Sequence, residues 1–73
     1  MLIKLTNSSP EFKGEFVLIN TDCIISVFRK TITRKLADDS TLVEDVTFVH
    51  CPPHGTWEVE ETVEEIFQRT NTL

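Results

Sequence analysis

The stretch Thr56-Trp57-Glu58-Val59-Glu60-Glu61-Thr62-Val63-Glu64-Glu65-Ile66-Phe67-Gln68-Arg69 changes its hydrophobic period part-way along, and that change decides the fold class. From Thr56 to Glu60 apolar and polar residues alternate, which is the period of a strand with Trp57 and Val59 inward. From Thr62 onward, Val63, Ile66 and Phe67 recur at i, i+3 and i+4, the stripe of an amphipathic helix. Thr62 and Glu65 have the spacing of a capping box. Glu64 and Glu65 lie in the first turn and Arg69 in the last, as the helix dipole favours. A helix of about ten residues, over 62–71, is too short to persist alone and needs a sheet to lie on.

Upstream, the chain supplies that sheet. Leu2-Ile3-Lys4-Leu5-Thr6 reads as a first strand, ended by Asn7-Ser8-Ser9-Pro10. Asn7 to Gly14 is a loop with Phe12 as its apolar anchor. Residues 15–20, Glu15-Phe16-Val17-Leu18-Ile19-Asn20, form a second strand, and Asn20-Thr21-Asp22 a turn. A third strand spans about 23–33, with Ile25 and Val27 on one face and Ile24, Ser26 and Phe28 on the other. The acidic turn Ala37-Asp38-Asp39-Ser40 joins it to a fourth strand over 41–51. Pro52-Pro53-His54-Gly55 must break that strand, because proline cannot donate to a ladder. The fifth strand is 56–60. The expected fold is therefore α+β: one domain over 1–73, a small antiparallel β-sheet of about five strands, and one C-terminal helix.

Composition narrows the function classes. The 73 residues carry 12 acidic and 7 basic side chains, a net charge of −5. Nucleic acids and anionic membranes call for a basic surface, so neither is an expected partner. No apolar run approaches the roughly 18 residues of a membrane span, and no charged-then-apolar leader is read at the start. Cytoplasmic placement is the expectation. A chain this short buries only about 60% of its unfolded surface, and two cysteines allow at most one disulfide. The charge is divided: residues 1–35 hold six cations against three acids, residues 36–73 nine acids against Arg69. The two parts are expected to neutralise each other within one fold, with head-to-tail association as the other outcome.

Few residues carry chemistry. Cys51-Pro52-Pro53-His54, with His50 and Cys23, offers a zinc-like ligand set. His50 and Cys51 are adjacent on a strand and point to opposite faces, so no metal or cofactor is expected. A cysteine–histidine nucleophile lacks any orienting motif, and Gly14 and Gly55 are the only glycines, too few for a phosphate loop. The carboxylates Glu58, Glu60, Glu61, Glu64 and Glu65 read as a solvated acidic edge. Arg29, Lys30, Arg34 and Lys35 form the one basic cluster. They are candidates for binding a small anion or an acidic partner, against the simpler role of keeping a sheet edge from pairing. Trp57 is a candidate core or interface anchor.

Three blocks carry a family resemblance: Met1-Leu2-Ile3-Lys4-Leu5-Thr6, Phe16 through Val27, and Trp57 through Ile66. Together, over about 30 of the 73 residues, the chain resembles the small FlbD/SwrD-type flagellar and swarming-motility proteins, a family with phage-borne relatives. The family has a tight Asn-Gly hairpin after its first strand and a short middle hairpin. Here the first loop is longer, ending Lys13-Gly14, and the middle hairpin spans 29–51. The resemblance supports the fold and offers no catalytic residues; the small core, the several apolar strand faces and the divided charge point to a non-enzymatic interaction module, expected to self-associate as a homo-oligomer. The alternative expectation is a phage-encoded inhibitor of a host defence system, acting by protein binding or by sequestering a small anionic ligand.

Overall fold

Alternation of branched and aromatic residues with polar ones sets five strands, and the computed structural model, which describes residues 1–71, arranges them as two antiparallel sheets. β1 (Leu2–Thr6) pairs with β2 (Phe16–Asn20). β3 (Ser26–Lys35), β4 (Thr41–Cys51) and β5 (Gly55–Val59) form a meander in that order. A single helix, α1 (Val63–Thr70), follows. The fold is α+β as the periods require, but the strands divide two and three. The sheets meet where β1 runs on past β5: Asn7 bridges Val59, Glu60 N–H donates to Thr6 O (2.8 Å) and Ser8 N–H to Glu58 O (3.0 Å).

The third strand begins later than its apolar content predicts. Asn20 Oδ1 accepts the Asp22 N–H at 3.0 Å and caps a one-turn 3₁₀ helix, Thr21–Cys23. That turn takes Cys23, Ile24 and Ile25 out of the strand, and Ile25 is exposed. The strand instead extends to Lys35, because its partner β4 is eleven residues long and offers a matching ladder. At its tip, Ser40 N–H and Oγ both donate to Asp38 Oδ1, and Asp39 takes φ +66°. The β4–β5 turn closes with His54 N–H donating to Cys51 O (2.8 Å) and ends on Gly55 at φ +114°, where a side chain would be strained.

The core lies between the sheets and under α1. Ile3, Leu5 and Ile19 meet Val49, Cys51, Val59 and Ile66, with Val17, Val27 and Trp57 packed at the margin. Only Ile66 of the expected helix stripe is fully buried; Phe67 is exposed. Thr62 caps the helix, its Oγ1 accepting the Glu65 N–H at 3.1 Å.

Candidate functional site

The β1–β2 hairpin has an unusual surface. An antiparallel hairpin with one face on the core normally turns polar residues outward. Its inner residues Ile3, Leu5 and Ile19 are buried as that rule requires. Its outer face carries Leu2, Phe16 and Leu18, which are 60%, 64% and 61% exposed. The register brings Lys4 opposite Leu18 and Thr6 opposite Phe16 on that face. The Lys4 ammonium lies over the Phe16 ring, 3.8 Å from its centroid, a cation–π contact. The cause is the run Phe16-Val17-Leu18-Ile19, apolar on both faces of one strand. It is the site that alternation reasoning missed, although the four consecutive apolar residues were the visible signal.

Trp57 belongs to this surface. It packs partly against the core from β5 and lines two grooves flanking β2. One, about 540 Å³, runs along Leu18, Asn20, Cys23 and Cys51; the other, about 580 Å³, runs along Phe12, Phe16, Val17 and Phe48. The two cysteines share the first groove. Burial, and then the neighbouring Cys23, push the Cys51 thiol above its ordinary range, so it stays protonated near neutrality. His50 points away and its Nδ1 shares a 2.8 Å hydrogen bond with Thr56 Oγ1. Among the described residues no three His, Cys, Asp or Glu side chains come together to hold a metal.

The four basic candidates do not converge. Alternation along β3 sends Arg29 and Lys35 to one face and Lys30 and Arg34 to the other. Arg34 is held by Glu44 (2.6 Å) and Glu58 (3.0 Å), and the Glu44 hydrogen bond chiefly raises its already high pKa. Lys35 pairs with Asp39 at 3.5 Å on the exposed tip. Arg29 shares a 210 Å³ hollow with Lys13 but also with Glu44, Asp45 and Glu60. The basic stretch thus meets acids from the second half of the chain, within the fold.

The acidic edge also divides. Glu60, Glu64 and Glu65 are exposed, but Glu61 is buried. Its carboxylate accepts Thr6 N–H (2.8 Å) and Thr6 Oγ1 (2.9 Å), and lies 3.7 Å from Arg69 Nη1, which donates to Lys4 O (2.6 Å). Glu61 is a structural latch between β1 and α1, and no solvated charge. Among the described residues, no helix is long and apolar enough to cross a membrane. No family model, curated protein or solved structure matches the chain.

Proposed function

We propose that this chain is a non-enzymatic interaction module that works as a homo-oligomer in the cytoplasm of a bacterial or phage-infected cell. The observation that carries the reading is the outer face of the β1–β2 hairpin, where Leu2, Phe16 and Leu18 stand exposed together while eight apolar residues make up the buried core among the described residues. The resemblance to FlbD/SwrD-type proteins supports the same reading. The partner is protein: a net charge of −5 disfavours nucleic acid. In the alternative, a phage-encoded inhibitor of host defence, the same surface serves a host protein. Its anion-sequestering form has the weaker support, since Arg34 already faces two carboxylates and Arg29 and Lys30 lie on opposite faces.

Light scattering coupled to size exclusion tests the proposal. The expected mass at tens of micromolar is an integer multiple, two or more, of the 8.4 kDa chain. A monodisperse 8.4 kDa species at every concentration overturns it.

A further inference from the structure

The two sheets have four outer edges, and the structure treats them differently; that of β1 is met by Glu60, Glu61 and Arg69, since Glu60 N–H donates to Thr6 O, Thr6 N–H to Glu61 Oε1 and Arg69 Nη1 to Lys4 O. The outer edge of β5 is covered at its Glu58–Val59 end, since Ser8 N–H donates to Glu58 O and Asn7 bridges Val59. The outer edge of β3 is charged. Antiparallel pairing of two copies about Ile32 would set Lys30 against the other copy's Arg34, and Arg29 against its Lys35, so like charges oppose it. The outer edge of β2 has neither protection. It pairs only with β1, and Phe16–Asn20 contains no charged residue.

The hydrogen-bond phase shows what that edge offers. Thr21 N–H donates to Met1 O (2.9 Å) and Asn7 N–H to Glu15 O (2.8 Å), so the hydrogen-bonded pairs of the β1–β2 ladder fall at odd-numbered residues. Phe16, Leu18 and Asn20 therefore aim their backbone groups away from β1; Asn20 C=O is taken up by the 3₁₀ helix it caps, and no backbone partner is found for the outward groups of Phe16 and Leu18 among the described residues. Natural edges this apolar are normally blunted by charge, proline or a covering loop.

We propose that β2 pairs antiparallel with β2 of a second copy, about a two-fold axis at Leu18, joining the two hairpins into a four-stranded sheet. The pairing rests on the self-association reading above and sets the contact at the edge of the strand that carries the exposed face, with Phe16 and Leu18 of both copies side by side on that face. Leu18 exchanges both hydrogen bonds with its counterpart, and Asn20 N–H donates to Phe16 O of the other copy. Val17 lies opposite the other copy's Ile19. No charge opposes a like charge anywhere along the five residues, and both outward groups of Leu18, with Phe16 C=O and Asn20 N–H, find partners. Such a contact is isologous, so it closes at two copies.

Leu18 is the residue that tests it, because its side chain is exposed and its replacement leaves the core untouched. Leu18→Lys and Leu18→Glu each set like charges together at the axis. Each variant alone is expected to run as a folded 8.4 kDa monomer under conditions where the parent has twice that mass. An equimolar mixture of the two variants is expected to recover the dimer, which only a contact of Leu18 with its own counterpart explains. Circular dichroism shows that each variant is folded, and Val43→Lys, on the exposed β4 face, is the control that leaves the dimer intact. If the parent self-associates and both Leu18 variants still do, the β2 edge is overturned while self-association stands. If the parent is monomeric up to millimolar concentration, both proposals fall.

Discussion

Glu61 sits in a run of acids that has every sign of a solvated face, yet it is buried and bonded to Thr6. Two hydrogen bonds from Thr6 and the nearby Arg69 replace the water it loses, which is what lets a carboxylate be buried. Removing it strands the Thr6 N–H and hydroxyl. Hydrogen bonds to charged groups contribute about 1.5–3 kcal/mol, so Glu61→Ala is expected to cost about 2–3 kcal/mol. Glu61→Gln keeps an acceptor for the Thr6 N–H and is expected to cost about 1 kcal/mol. Urea unfolding of both variants beside Glu64→Ala, an exposed acid expected to be near neutral, checks the ranking. If Glu61→Ala were as mild as Glu64→Ala, the latch would carry no stability.

Helix α1 is the element whose local sequence agrees best with its structure. Thr62 caps it, Glu64 and Glu65 occupy its first turn and Arg69 its last. Loss of an N-cap hydroxyl costs about 1 kcal/mol, which in a domain of this size lowers the melting temperature by roughly 4–8 °C. Thr62→Ala is expected to show that drop in thermal circular dichroism, and Thr62→Asp to restore most of it; an unchanged melting temperature for Thr62→Ala would show that tertiary packing alone holds the first turn. The helix, β1 and the eleven residues of β4 were legible in the chain because each announces itself by local period and clear stop signals. The start of β3 was not, since Cys23-Ile24-Ile25 has strand composition and only the Asn20 cap diverts it into a turn. The separation into two sheets was not legible either, because it depends on which edges meet. For the same reason the basic cluster looked like one site: four cations close in sequence are sent to two faces by a strand, and Arg34 is claimed by Glu58, 24 residues away. The exposed face of β1–β2 was half legible. The run Phe16-Val17-Leu18-Ile19 is plain, but that half of it faces out follows only from the one-sided core.

As a whole the molecule is elongated, 45 × 21 × 19 Å, with a radius of gyration of 13.1 Å. A compact chain of this length is expected nearer 11 Å. The excess comes from the β3–β4 hairpin. β5 pairs with β4 only over Thr47–Cys51, so beyond Thr47 the ladder is two strands wide and ends in the tip at Leu36–Ser40. Leu36, Leu42 and Val43 are exposed there. A two-stranded ribbon in water is marginal by itself, and this one is tied back chiefly by Arg34, which spans Glu44 on β4 and Glu58 on β5. The arm is thus a low-stability unit attached to a better-packed body. Amide hydrogen exchange reads the difference. Ile32, Leu42 and Glu44 have N–H groups facing across the ribbon, and they are expected to exchange roughly ten-fold or more faster than Val49 and Val59 between β4 and β5. Arg34→Ala removes the tie without touching the core, so it is expected to speed exchange in the arm further and leave Val49 and Val59 unchanged. Equal protection of arm and body, moving together in the variant, would mean that the ribbon opens only when the whole domain unfolds.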